Sequence, residues 1–123
     1  MPEDDAGHGV LGPLEAAVMT TVWRSEEPVS VRDVLDVLNR SRAQPLAYTT
    51  VMTTLARLAE KGVLERELRG RGYVYRAVVS DAAAIAVRNV VRDFGGLAVA
   101  HFVEEARSDP ALLRRLNALL DEG

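Results

Sequence analysis

The chain has 123 residues, a 48% hydrophobic content and a formal net charge of -3, enough for one small domain with an appended helical segment and a modest core. It contains no cysteine, which excludes disulfide scaffolds, zinc ribbons, thiolate clusters and cysteine nucleophiles. No apolar run approaches membrane-spanning length, and Met1 to Gly9 is acidic without the basic start and apolar stretch of a secretory signal. A cytoplasmic protein with a loose tail over residues 1–10 and no membrane insertion is therefore expected.

Gly12-Pro13 followed by Leu14, Val18 and Val22 predicts a first helix, with Pro in its opening turn and Trp23 completing its apolar side before an end near Ser25. Glu27-Pro28-Val29 reads as a short extended connector. Ser30 then caps a second helix, Asp33 three residues on resembles a capping box, and Val31, Val34, Leu35 and Leu38 form the buried stripe. Ser41 to Pro45 is a loop.

The next segment carries the most information. Val51, Leu55 and Leu58 recur at helical spacing and face a core, whereas Thr49, Thr50, Thr53 and Arg57 fall on the opposite side, with Met52 beside them. Gly62 just past Lys61 is a natural left-handed stop. Leu64 to Leu68 and Tyr73 to Val78 read as two strands, joined by a turn Arg69-Gly70-Arg71-Gly72 that carries two guanidinium groups. Three helices and a basic hairpin over residues 11–79 spell a winged helix-turn-helix, in a mostly α (α+β) chain.

Local charge supports that reading. Residues 1–38 hold two arginines against eight acids, for -6; residues 39–76 hold seven arginines and one lysine against three acids, for +5; residues 77–123 hold five arginines against seven acids, for -2. Attraction to phosphate acts over about 8 to 10 Å at physiological salt, so a basic patch works despite an acidic total. The expected contacts with double-stranded DNA are Tyr48, Thr49, Thr50, Met52, Thr53 and Arg57 on the helix, and Arg69, Arg71 and Tyr73 on the hairpin. Short hydroxyls and methyls suit groove edges, and a glycine-flanked arginine pair suits phosphate or the minor groove. For several of these a plainer role is open. Thr49 is the one most suited to capping the helix instead, Met52 to filling a core gap, Arg57 to pairing with Glu60 or Glu26, and the two tyrosines to packing against the sheet.

Beyond Ser80-Asp81, an Ala- and Val-rich helix to about Phe94 holds Ile85, Val87, Val90, Val91 and Phe94, too many apolar residues for a solvent-facing element. Gly95-Gly96 breaks it, a helix from Leu97 to Arg107 follows, and Asp109-Pro110 caps and opens a last helix. Residues 80–123 are expected to be a helical dimerisation region. Its interface residues would be Val91, Phe94, Phe102, Leu112, Leu113, Leu116, Leu119 and Leu120, and a symmetric homodimer is the simplest way to bury them.

The segments LGPLEAAVMTTVW, PVSVRDVLDVLN and LAYTTVMTTLARLAEKGVLERELRGRGYVYRAV resemble the penicillinase repressor (BlaI/MecI) family from about Leu11 to Leu120. That resemblance implies a dimeric transcriptional repressor with an N-terminal winged helix on an inverted-repeat operator and a C-terminal helical dimerisation region. It also implies a membrane sensor metalloprotease as a partner, which in relatives answers a β-lactam and cuts the repressor between an Asn and a Phe. The matching pair here is His101-Phe102, with His in the Asn position. The copper-responsive branch of the family carries a C-terminal cysteine cluster, which this chain lacks.

Nothing in the sequence points to an enzyme, a cofactor or a metal. His8 and His101 are isolated, without paired ligand spacing or a phosphate-binding glycine loop. Two other functions stay open at this point: a winged-helix protein-interaction module that meets a protein rather than DNA, and, with less room for a pocket, a small-molecule sensor.

Overall fold

The structure, a computed structural model, describes residues 11–122; the tail expected over residues 1–10, with His8, and Gly123 lie outside them. Helices α1 (Pro13–Arg24), α2 (Val31–Asn39) and α3 (Tyr48–Glu60) precede a hairpin of β2 (Leu64–Arg69) and β3 (Gly72–Ala77). A two-residue strand β1 (Val29–Ser30) sits between α1 and α2, and α4 (Ala82–Phe94), α5 (Gly96–Arg107) and α6 (Pro110–Glu122) complete the chain. The chain folds as two compact units, the first running through Ala86 and the second starting at Val87, so the boundary falls within α4.

In the first unit side chains satisfy free backbone groups at the starts of α1 and α2, and backbone amides close the end of α3. Ser30 accepts the Asp33 amide at 3.0 Å while the Asp33 carboxylate accepts the Ser30 amide at 3.0 Å, the reciprocal cap expected for α2. At α1 one half of that exchange is present, Glu15 Oε1 accepting the Gly12 amide at 3.2 Å. The end of α3 is a complete Schellman motif: Gly62 takes φ +78°, its amide donates to the Ala59 carbonyl at 3.0 Å, and the Val63 amide donates to the Leu58 carbonyl at 3.1 Å. Val63 is thereby carried into the core beside Leu58, and the chain leaves α3 already aimed along β2.

The connector between α1 and α2 is more than a linker. Val29 and Ser30 pair antiparallel with Tyr75 and Val74, so the sheet has three strands in the order β1-β3-β2. Two residues carry no periodicity, which is why the sequence showed an extended connector there and not a strand. Between β2 and β3 the pairing runs from Leu64↔Ala77 to Arg69↔Gly72. The turn is therefore the two residues Gly70-Arg71, with Gly70 at φ +61°, as tight hairpins require at their first loop position. Arg69 and Gly72 belong to the strands and not to the turn expected from the sequence.

The core gathers Val18, Met19 and Val22 of α1, Val31, Val34 and Leu35 of α2, Val51, Leu55 and Leu58 of α3, and Val29, Leu64 and Tyr75 of the sheet, with Val79 and Ile85 closing it. Each helix contributes the stripe its spacing predicted. Trp23 packs against this core and its indole donates to the Val79 carbonyl at 2.8 Å, tying the end of α1 to the segment after the hairpin. This is a winged-helix domain.

In the second unit α5 packs against α6, with Ala106 fully buried. Gly95 at φ +56° separates α4 from α5, and the Asp109 carboxylate accepts the Ala111 and Leu112 amides at 3.1 and 3.2 Å to start α6, both as the sequence suggests.

Candidate nucleic-acid interface

Three features place α3. Its Val51, Leu55 and Leu58 are sealed in the core, which forces the residues between them outward. Lys61 at its end donates to Glu15 Oε2 at 2.8 Å, so one carboxylate caps α1 and holds α3 at once. The loop before it is held by Asn39, whose Oδ1 accepts the Leu46 amide at 2.8 Å while its Nδ2 donates to the Leu46 carbonyl at 3.2 Å. The helix is thus clamped at both ends and buried along one side.

What faces out is Tyr48, Thr49, Thr50, Met52, Thr53 and Arg57, all exposed. Met52 fills no core gap: it is 42% exposed. The helix cap is Ala47, with no side-chain bond, so Thr49 does not serve as the alternative cap, and its hydroxyl is among the groups facing solvent. Neither Glu60 nor Glu26 forms an ion pair with Arg57 among the described residues. Thr54, unlike Thr49, Thr50 and Thr53, is buried, and it donates to the Thr50 carbonyl at 2.9 Å.

Along the hairpin, strand alternation sorts the side chains. Leu64 and Tyr75 are buried on the face that packs on the helices, and Arg66, Leu68 and Tyr73 continue that same inner face outward. Glu65, Glu67, Arg69 and Arg76 lie on the outer face. There Arg76 makes a two-nitrogen bond to the Glu65 carboxylate, through Nε at 2.9 Å and Nη2 at 2.5 Å, which raises the Arg76 pKa further. Arg69 approaches Glu67 at 3.5 Å. Arg71 stands exposed at the turn. The structure thus brings the α3 residues together on one face and separates the two turn arginines expected from the sequence, because one of them is a strand residue.

Two arginine–tyrosine stacks flank α3. The Arg32 guanidinium of α2 lies 5.5 Å from the Tyr48 ring centre, and that of Arg66 lies 4.3 Å from the Tyr73 ring centre, both within cation–π range. Arg32 and Arg66 were not singled out in the sequence; only pairing across elements reveals them.

A family profile described as penicillinase repressor matches residues 11–122, nearly the whole chain. The chain belongs to the penicillinase repressor family. A relative named "Transcriptional regulator BlaI", from Mycobacterium tuberculosis strain CDC 1551 / Oshkosh, is 39% identical over 124 residues, covering 92% of this chain and 86% of the relative. The protein of the same name from strain ATCC 25618 / H37Rv matches to the same extent. Family membership makes the chain a transcriptional regulator rather than an enzyme, and it implies binding to DNA through the winged helix.

The residues expected at a dimer interface, with His101, fall in the second unit. Val91, Phe94, Phe102, Leu119 and Leu120 are exposed, and Leu112, Leu113 and Leu116 are half-buried. His101 and Phe102 are neighbours within α5, both exposed. Among the described residues no group of His, Asp and Glu could hold a metal ion, and no helix is long and apolar enough to cross a membrane.

Proposed function

We propose that this member of the penicillinase repressor family is a dimeric repressor of an inverted-repeat operator. In this reading Thr49, Thr50, Met52, Thr53 and Arg57 of α3 enter a major groove, and Tyr48, Arg69, Arg71 and Tyr73 flank it. The observation that carries it is the outward face of α3: a row of hydroxyls, one thioether and one guanidinium on a helix clamped at both ends, beside a basic hairpin. A helix held that rigidly presents its side chains without a large ordering cost on binding.

The exposed apolar residues of α4, α5 and α6 would form the dimer interface. The dimer would place two recognition helices about one helical turn (~34 to 36 Å) apart, in successive grooves where they obstruct transcription. Release by a membrane sensor metalloprotease would take place at His101-Phe102. Both lie in the middle of α5, so cutting there requires that helix to open locally first.

Genome-wide occupancy by immunoprecipitation sequencing tests the reading. Sharp peaks over an inverted repeat beside β-lactamase or sensor-protease genes are expected. Peaks beside unrelated genes would keep the repressor and change its pathway. No peaks at all would favour a protein-interaction module.

A further inference from the structure

The hairpin holds an exposed apolar pair that neither folding nor solubility explains. Leu68 and Tyr73 are directly opposite in the β2–β3 register and are 63% and 41% exposed. They share the inner face with Arg66, the diagonal neighbour whose guanidinium is parked over the Tyr73 ring. The sequence LERELR sorts its charges by alternation: Arg66 falls on the inner face, whereas Glu65 and Glu67 fall on the outer one. Beyond the core, positions 66, 68 and 73 therefore make an apolar and cationic surface with no carboxylate. It lies on the sheet face that packs on the helices, on the same side as α3. A polyanion with an apolar sugar edge is the chemistry this surface complements.

We propose that Arg66 and Leu68, with Tyr73, form a second duplex contact on the inner face of the wing. Leu68 and the Tyr73 ring lie against deoxyribose, and Arg66 pairs with the adjoining phosphate. This rests on the DNA-binding reading above and adds to it two residues, Arg66 and Leu68. The stack on Tyr73 holds the guanidinium in place before DNA arrives, so little side-chain freedom remains to be lost on binding. On the outer face Arg76 is bound to Glu65 and takes no part in this contact.

The test is binding of the full chain to a short mixed-sequence duplex across a range of salt concentrations, with circular dichroism confirming that each variant is folded. Each phosphate contact contributes about 0.9 to the slope of log affinity against log salt. Arg66→Ala should make the slope shallower by about 0.9 per bound protomer, and Arg66→Lys, which keeps the charge, should restore it. Leu68→Ser should weaken binding without changing the slope, because an apolar contact releases no counterion. Arg76→Gln, on the same hairpin but the outer face, should leave the slope as it is. An unchanged slope for Arg66→Ala in a folded variant overturns the proposal while the wild type still binds. So does a Leu68→Ser variant that changes the oligomeric state and not DNA affinity, which would make Leu68 a contact between copies. A wild-type chain without salt-dependent binding would instead overturn the DNA-binding reading itself.

Discussion

Glu15 shows how one residue can serve two elements. Its side chain is only 18% exposed, and that burial alone would raise its pKa. The bond from Lys61, the Gly12 amide and the nearby charge of Arg57 together outweigh it, so the carboxyl titrates below its ordinary 4.5. A carboxylate with a lowered folded-state pKa contributes stability that is present above the unfolded value and lost as pH falls through the folded one. Thermal stability should therefore fall as pH drops below about 4.5, and Glu15→Gln should flatten that part of the profile. At neutral pH the substitution should cost about 1 kcal/mol, since the partner lysine is half exposed and screened; melting curves across pH check both. Arg32 and Tyr48 make a second prediction at this scale. If the stack orients Tyr48 toward a phosphate, Arg32→Ala and Tyr48→Leu should be non-additive in duplex binding, with a coupling of about 0.5 to 1 kcal/mol. Additive effects would separate the two residues.

At the scale of elements, the decisive feature is how α3 is held. The helix itself follows from spacing: Val51, Leu55 and Leu58 dictate its buried side and Gly62 its end. Its placement depends on Asn39, which bonds both backbone groups of Leu46 and so closes the loop between α2 and α3. Asn39→Ala leaves these two groups to solvent and lets the loop vary. The cost should be about 1 to 2 kcal/mol, with weaker duplex binding than the stability loss alone accounts for. Hydrogen exchange at residues 40–47 should rise, and unchanged exchange there would show that the loop is held by other means. The hairpin shows the same division. Two strands and a glycine turn were legible from composition, but the inner and outer faces became assignable only once Leu64 and Tyr75 were seen in the core, because alternation alone does not say which face is buried.

At the scale of the whole molecule, the apolar residues exposed on the last three helices are the feature to account for. Leu120 is 69% exposed, so changing it does little to the packing of a single chain. If these faces join two copies, Leu120→Asp should shift the protein toward monomer in sedimentation velocity and weaken operator binding in parallel. A dimer that survives the change would move the interface elsewhere, and a monomer with full operator affinity would uncouple dimerisation from DNA binding.

The sequence by itself determined the order of the helices and of the two hairpin strands, the buried stripes of α1 to α3, the caps at Ser30 and Asp109, the stop at Gly62 and the family. All of these rest on local periodicity, turn chemistry or wording that a few consecutive residues carry. The tertiary structure alone decided that Val29 and Ser30 are a strand, that Glu15 meets Lys61 and that Trp23 meets Val79. It likewise decided that Arg32 and Arg66 stack on tyrosines and that Arg69 shares the outer face with Glu67. These pairings join residues distant in the chain or depend on which face of a strand is covered, and local spacing specifies neither.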